Sequence, residues 1–322
     1  MAMCVEDRIS SFPDHILCHI LSFLPIEEAV RTSIISTKWR YLFASISTIK
    51  FDGHLMRGLT DRNVDSFKNF VDRLLKFPDQ EIDLDLDNLG DILPALLFTC
   101  HSLVTLKLVA VGSEITVPSD VCLGNLKTLQ LRNASFVVVE GYTLTNMKSL
   151  EKARLNICEN DSIDCETSAT HLIQGIRNVR SLSLTTDEAI FRTSQLPIFH
   201  NLIEFEYGGH GFNGIETWLV EFLHCAPNLE TLNLNFPVEA GTRWKALPIE
   251  VPSCLSFHLK EIEISCFVTH MIEMVSYFLD NAMVLENLII RTKGLSVTQT
   301  RKVSNQLLQL LKSSKKCLIV IL

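Results

Sequence analysis

The sequence predicts an α/β fold in which short repeats stack into a curved parallel sheet with helices on its convex side. The first observation is an alternating phrase, largely apolar at its first, fourth and sixth positions, that begins at Leu103, Leu126, Leu150, Val179, Leu202, Leu229, Leu259 and Leu285. The seven steps between these starts span 182 residues, or 26 residues per step. The second observation is that helix-like segments fill several of the intervals. This combination is typical of an irregular leucine-rich repeat solenoid, whose units bury their apolar faces only by stacking.

Further repeat elements extend the pattern towards both ends of the chain. Ile82–Leu86 fits the phrase one period upstream, and we expect a degenerate copy around Phe51. Return segments that look helical are 64–77, 91–101, 166–177 and 215–226. Near the carboxy end the spacing predicts helices over 271–282 and 298–312, with the last strand in the apolar segment 317–322.

The first fifty residues predict a separate unit of three short helices. Apolar side chains at positions 16, 17, 20, 21 and 24 have helical spacing, and Pro25 ends that helix. A second helix is expected over 26–35 and a third through Trp39 to Phe43. Three helices of this length cannot cover all their apolar side chains among themselves, and an exposed apolar face usually marks a partner site.

Four stretches of this amino-terminal part occur in a familiar order. They are Asp7–Pro25, Ala29–Ser33, Ser36–Tyr41 and Phe51–Asp52. Together they resemble the F-box of plant F-box/leucine-rich-repeat proteins. The chain departs from that pattern at Phe12, usually Leu, at Lys38, usually Arg, and at Phe43, frequently Trp. We expect an F-box over residues 1–50 and a leucine-rich repeat domain over 51–322.

The carboxy-terminal part carries a second resemblance. Val251–Leu255, Leu259–Ile262, Tyr277–Ala282 and Leu285–Glu286 are similar to the FBD region that ends many of these plant proteins. Residues 268–270 replace the small or glycine-containing turn that the pattern usually has at this point. Residues 250–322 are therefore expected to form FBD-like final repeats and a cap.

The resemblance implies a binding function without catalysis. An F-box docks on the Skp-type adaptor of an SCF-type cullin-RING ubiquitin ligase, and the repeats hold the client protein that is ubiquitinated and degraded. The adaptor contacts carried over by the pattern are Pro13, Ile16, Leu17, Ile20, Leu21, Leu24 and Trp39. Trp39 can equally belong wholly to the core of the helical unit, since Trp serves both cores and interface anchors. The alternative function is a non-ligase scaffold that sequesters a partner or competes for the adaptor.

Alternate residues of each predicted strand point to the open side of the sheet and place charge there in bands. The candidate client contacts are Asp83, Asp85, Lys107, Arg132, Lys152, Arg154, Glu204, Glu206, Glu261 and Glu263. Such a surface can select a client with complementary bands. The simpler interpretation is an ordinary solvated face, on which cross-strand pairs such as Asp85 with Lys107 contribute about a few tenths of a kcal/mol.

The composition argues against several function classes. The net charge of −8, from 37 acidic and 29 basic residues, disfavours a general nucleic-acid binder. No stretch approaches the roughly 18–20 consecutive apolar residues of a membrane span, and the first eight residues lack the apolar segment of a secretory signal. The ten cysteines have no metal-like spacing and are expected to be reduced thiols. We therefore expect the protein in the cytoplasm, the nucleus or both.

Two patterns suggest chemistry that the surrounding sequence does not support. Gly209–Gly214 reads G-x-G-x-x-G after a strand, but the next strand lacks the acidic residue that binds a ribose, so a turn between repeats is the better interpretation. His15 and His19 have a spacing compatible with metal binding, yet no Glu follows His15 and solvent-facing side chains are expected. We expect no metal, no cofactor and no enzymatic activity.

Overall fold

One long parallel sheet organises the chain. The computed structural model describes residues 9–24, 28–29, 32, 38–42, 48–51, 80–85, 96–109, 114–117, 121–132, 135–138, 147–157, 172–186, 196–209, 215–236, 250–292 and 297–322. Within these residues, eleven strands form a single sheet whose strand order follows the chain order. Every neighbouring pair is parallel. The predicted solenoid is therefore confirmed.

The strands fall on the repeated phrase. Those of the long sheet are β1 (Thr48–Phe51), β2 (Gln80–Asp85), β3 (Leu103–Val109), β5 (Thr128–Arg132), β7 (Lys152–Ile157), β8 (Ser181–Thr186), β9 (Glu204–Gly209), β10 (Thr231–Asn235), β11 (Glu261–Ser265), β12 (Asn287–Ile290) and β13 (Leu318–Ile321). All eight predicted phrases form strands, as do the expected copies at 82–86, at Phe51 and at 317–322. Each strand stacks on its predecessor because its inward apolar side chains have nowhere else to be buried.

A second, two-stranded sheet was not predicted. It pairs β4 (Glu114–Val117) with β6 (Ser135–Val138) in parallel. These strands lie in the two return segments that follow β3 and β5, where many other repeats have a helix. β-branched residues such as Ile115, Val117 and Val137 favour extended backbone over helix, and the 26-residue period alone does not reveal them.

Strand pairing keeps the two faces of the long sheet distinct. Leu106, Leu129 and Ala153 occupy the same position on β3, β5 and β7, and all are buried. Leu108 and Leu131, two residues along, form the next inward row. Residues between these positions are half-buried or exposed. The predicted alternation of core-facing and open-facing side chains is thus confirmed where side chains are described.

The first helices lie in the amino-terminal unit, and those after them lie on the core side of the sheet. They are α1 (Asp14–Leu21), α2 (Trp39–Leu42), α3 (Leu96–Thr99), α4 (Ile215–Cys225), α5 (Ser253–Phe257), α6 (Ile272–Asn281) and α7 (Val297–Leu308), with a 3-10 turn at Thr269–Met271. Leu219, Val275 and Val303 of α4, α6 and α7 join the same apolar core as the inward strand residues.

The helix predictions have mixed outcomes. The helix over 215–226 is confirmed by α4, and residues 271–282 are α-helical apart from their first residue, which belongs to the 3-10 turn, and their last. The helix over 298–312 ends early, at Leu308, and the short α5 was not expected because it spans little more than one turn. Residues 172–175 are helical within the predicted 166–177, and α3 lies within 91–101. The predicted helix over 64–77 lies outside the described residues.

An asparagine ladder links successive repeats just before their strands. Asn228 donates from Nδ2 to the backbone oxygen of His200 at 2.8 Å, and Asn125 donates to that of His101 at 2.7 Å. Asn201 makes the equivalent bond to Asn178 at 3.3 Å. Each of these donors satisfies a carbonyl in the preceding turn, which would otherwise need water or another partner. The sequence carries a signal for these bonds that was not among the predictions, an Asn directly before the first apolar residue of the phrase.

A cluster of aromatic rings fills the core between β9 and α4. The rings of Phe205 and Phe222 stack with centroids 4.0 Å apart, and Tyr207 lies 4.9 Å from Trp218. Gly209, two residues beyond Tyr207 on the same face, accommodates the tyrosine ring: a Cβ at Gly209 would come within 2.5 Å of the Tyr207 hydroxyl oxygen. The glycine that begins the G-x-G-x-x-G pattern is therefore explained by packing.

Candidate functional surfaces

The first helix carries two apolar stripes, of which one is buried and the other is exposed. Leu17 and Leu21 are fully buried, whereas Ile16 and Ile20 are each 39% exposed. Both pairs are four residues apart, so each forms a line along one side of α1. Phe12, four residues before Ile16, and Phe23, three residues after Ile20, are also exposed, and we call Phe12, Ile16, Ile20 and Phe23 the amino-terminal apolar stripe.

A small core holds this helical unit together. Leu17, Leu21, Ala29, Trp39 and Leu42 form a buried cluster separate from the repeat core within the described residues. Trp39 is 4% exposed, and its indole Nε1 donates to the Ser10 hydroxyl at 2.6 Å. Trp39 therefore ties the segment before α1 to α2. Of the second predicted helix, positions 28, 29 and 32 are described and are helical.

Lys38 fixes the start of the first helix. Its ammonium group donates to the backbone oxygens of Ser10 and Phe12 at 3.0 and 2.7 Å and lies 3.1 Å from the Asp14 carboxylate. These charge-assisted bonds hold the chain entering α1 against the segment before α2. Lys38 thus positions Phe12, the first member of the amino-terminal apolar stripe.

The predicted adaptor contacts divide into two groups in the structure. Pro13, Ile16 and Ile20 are exposed and Leu24 is half-buried. Leu17, Leu21 and Trp39 are core residues with almost no exposed surface, and they hold α1 and α2 in place. Their direct contact with an adaptor stays a prediction, and the burial of Trp39 agrees with its interpretation as a core residue. Phe12 and Phe23, at 47% and 75% exposed, were missed as candidates although they share the spacing of Ile16 and Ile20.

Charged side chains occupy adjacent rows on the open face of the sheet. The first row consists of residues that align across neighbouring strands: Thr128, Lys152, Ser181, Glu204, Thr231, Glu261 and Asn287. The second row, two residues further along each strand, consists of Gln130, Arg154, Ser183, Glu206, Asn233, Glu263 and Ile289. We call these the first and second open-face rows. Adjacent members of a row are about 4.8 Å apart.

The second open-face row is internally paired. The Arg154 guanidinium reaches the Glu206 carboxylate at 3.9 Å, passing over the small Ser183 on the strand between them. Glu263 accepts a 2.5 Å hydrogen bond from Arg291 at the end of β12. That bond raises the pKa of the Arg291 guanidinium above its usual value. Two of the six predicted acidic contacts, Glu206 and Glu263, therefore already have a basic neighbour.

A depression of about 620 Å³ lies between the basic and acidic parts of the two rows. Lys152 and Arg154 line one side, and Glu204, Glu206 and Glu261 line the other. Its floor is at Ser181 and Ser183, whose short side chains leave space above β8. The structure thus brings together predicted contacts from three strands that are 109 residues apart at their extremes, from 152 to 261.

The remaining predicted client contacts lie at other places on the sheet. Lys107 is half-buried on β3, and Arg132 is exposed at the end of β5. Asp83 and Asp85 belong to β2, but their side chains are outside the described residues. Strand register places Asp83 opposite Lys107 and Asp85 opposite Val109. The expected cross-strand pairing of Asp85 with Lys107 is therefore wrong, because Lys107 faces Asp83, two residues earlier on β2.

Other chemical patterns find structural explanations. His15 and His19 are exposed on α1, and the described part of the chain has no group of three His, Cys, Asp or Glu side chains arranged to hold a metal.

Burial raises the pKa of the Cys254 thiol to about 12, which suppresses its thiolate. All cysteines in the described ranges are free thiols. Among the described helices, none is long and apolar enough to cross a membrane.

Two domain families match separate parts of this chain. The F-box domain matches residues 9–50, and the FBD matches residues 248–290. The first match contains the amino-terminal apolar stripe and its supporting core. The second contains β11 and β12 with the helices between them.

Relatives of similar organisation occur in Arabidopsis thaliana. An F-box/LRR-repeat protein is 26% identical over 88% of this chain and 90% of its own length. An FBD-associated F-box protein is 28% identical over 72% of this chain and 62% of its own length. A further F-box/LRR-repeat protein is 36% identical over 39% of this chain, which matches 31% of that relative's length. The chain thus has an F-box and an FBD, and its homologues are plant F-box/LRR-repeat and FBD-associated F-box proteins.

Proposed function

We propose that this F-box and FBD chain is the substrate-recognition subunit of an SCF-type cullin-RING ubiquitin ligase. Its F-box binds the Skp-type adaptor, and its repeat sheet binds a client protein for ubiquitination and degradation. The F-box match and the F-box/LRR relatives support the general receptor role. We place this activity in the cytoplasm, the nucleus or both, in keeping with the free thiols of the described cysteines.

The amino-terminal apolar stripe is the observation that carries the adaptor contact. In the described part of this unit, the four large apolar side chains of the stripe are exposed. Another set, which includes Leu17, Leu21 and Trp39, forms the buried core. Scattered exposed apolar residues need no explanation, but a contiguous line of them usually marks a protein contact. Ile16 and Ile20 lie at the centre of this line, where we expect the contact to contribute most binding energy.

The proposed mechanism is proximity. A client held on the sheet is brought near the ubiquitin carrier that the rest of the ligase recruits. This raises the effective concentration of a client lysine at the reactive centre without a catalytic side chain in this chain. The receptor therefore contributes selection and positioning, and the chemistry takes place on other subunits.

Co-purification with a Skp-type adaptor tests the adaptor contact. The variant Ile16→Asp with Ile20→Asp places two carboxylates on the stripe without disturbing the buried Leu17 and Leu21. We expect adaptor affinity to fall at least about 100-fold, because a desolvated, unpaired carboxylate costs several kcal/mol. The matched control is Met283→Asp with Val284→Asp, which makes the same change at exposed apolar positions of the repeats.

Two results would contradict the proposal. One is that the stripe variant retains the adaptor as well as the control does. The other is that the unmodified chain binds no adaptor, in which case a client captured by the repeats would identify the protein as a sequestering scaffold instead.

A further inference from the structure

Three charges in the first open-face row have no ion-pair partner within the described part of the chain. They are Lys152 on β7, Glu204 on β9 and Glu261 on β11. Ser181 and Thr231 separate them, one on each intervening strand. All of these side chains line the depression on the open face. The charge that this row presents to a partner is therefore basic, then acidic, then acidic.

The second open-face row offers much less available charge. Arg154 and Glu206 lie 3.9 Å apart, and Glu263 is held by Arg291 at 2.5 Å. A partner that binds at the second row must compete with these contacts. The first row carries equivalent charges with no such competition, so it is the part of the face best able to select a partner by charge.

The spacing of the three charges matches a peptide in the polyproline II conformation. Strands in a sheet are about 4.8 Å apart, so Lys152, Glu204 and Glu261 follow one another at intervals of about 9.6 Å. A chain in the polyproline II conformation advances about 3.1 Å per residue with three residues per turn, so every third side chain lies on the same side and three residues cover about 9.3 Å. The short side chains of Ser181 and Thr231 leave space between the charges for the intervening residues of the peptide.

We propose that the first open-face row binds a client segment in the polyproline II conformation, with an acidic residue followed by basic residues three and six positions away, in either chain direction. The acidic residue pairs with Lys152, and the two basic residues pair with Glu204 and Glu261. This inference rests on the proposed function, because it names the kind of client that the repeats receive. A uniformly basic or uniformly acidic segment is disfavoured, since it places like charges opposite at least one member of the row.

Fluorescence anisotropy with short labelled peptides and the purified full-length chain tests this proposal. The matching peptide has nine residues, with Asp at its second position, Lys at its fifth and eighth, and Gly and Ser elsewhere. The control peptide has the same composition with Lys at the second and eighth positions and Asp at the fifth. We expect the control to bind at least about tenfold more weakly, because its Asp faces Glu204.

Charge reversal of the row provides an internal rescue. The variant Lys152→Glu with Glu204→Lys and Glu261→Lys is expected to lose the matching peptide by at least about tenfold. The same variant is expected to bind a peptide with Lys at the second position and Asp at the fifth and eighth, which the unmodified chain rejects. Such a switch in preference cannot arise from misfolding. Glu221→Lys with Glu273→Lys, exposed on the helical side, is the matched control and should change neither affinity.

The proposal is overturned if the matching and control peptides bind equally, if neither binds at about 1 mM, or if the charge-reversed variant shows no switch. The peptide assay contains no adaptor, and the adaptor assay contains no peptide. Failure of peptide selection with intact adaptor binding therefore refutes the client pattern alone, whereas loss of adaptor binding with intact peptide selection refutes the ligase role.

Discussion

Truncation of neighbouring residues on α1 should have opposite consequences for folding and for binding. Leu17 is fully buried, whereas the adjacent Ile16 is 39% exposed. A Leu→Ala change in a core typically costs about 2–5 kcal/mol. We expect about 3 kcal/mol for Leu17→Ala and less than about 1 kcal/mol for Ile16→Ala.

Hydrogen–deuterium exchange of the peptide covering 13–24 measures this difference. A loss of about 3 kcal/mol raises the open population, and hence the exchange rate, roughly 150-fold. The amides that report it include that of Leu17, which donates to Pro13, and that of Ser22, which donates to Cys18. Strand β10 should keep its protection in the same sample, because the F-box core and the repeat core are separate clusters among the described residues.

The two variants also separate support from contact at the adaptor surface. Ile16→Ala should weaken adaptor binding with little change in exchange, whereas Leu17→Ala should weaken it only together with faster exchange. Equal exchange rates in the two variants would refute the assignment of one stripe to the core and the other to the surface. So would a loss of protection in β10 that parallels the loss in α1.

Two further predictions concern the repeat domain. Gly209→Ala should lower the free energy of unfolding by about 1–3 kcal/mol in urea titration, because the added Cβ meets the Tyr207 ring. The control is Gly124→Ala, whose added Cβ has open space around it. Equal effects of the two substitutions would argue against the packing explanation. Burial raises the Cys254 pKa from 9.0 to about 12. The contribution of the neutral thiol to the free energy of unfolding is therefore complete below about pH 9 and is lost as the pH rises towards 12. Iodoacetamide at pH 8 should therefore modify the half-buried Cys266 well before Cys254, and comparable rates by mass spectrometry would contradict this burial.

The repeat architecture follows from local sequence. Side chains alternate with a period of two along a strand, so a phrase such as Leu229–Leu234 reveals both the strand and its buried face. Its return every 26 residues or so indicates parallel stacking, since no single repeat can bury its apolar residues alone. These two periodicities were sufficient to predict the strands of the long sheet and the open-face positions of Lys152, Glu204 and Glu261.

The helical unit shows where periodicity is insufficient. Ile16 with Ile20 and Leu17 with Leu21 both have the spacing of a buried stripe, and nothing in α1 alone distinguishes them. The position of Trp39 on another helix decides which pair is enclosed. The buried set was therefore mixed with the exposed set in the predicted adaptor contacts.

By itself, the sequence determined which residues form strands, which faces are apolar and that the chain is a stacked repeat with an F-box-like start. Only the tertiary structure decided which apolar stripe of α1 remains exposed, which open-face charges are already paired and which three are available. The physical reason is that periodicity is a property of neighbouring residues. Burial and ion pairing depend instead on side chains such as Arg154 and Glu206, which are 52 positions apart in the sequence and meet only after the strands have stacked.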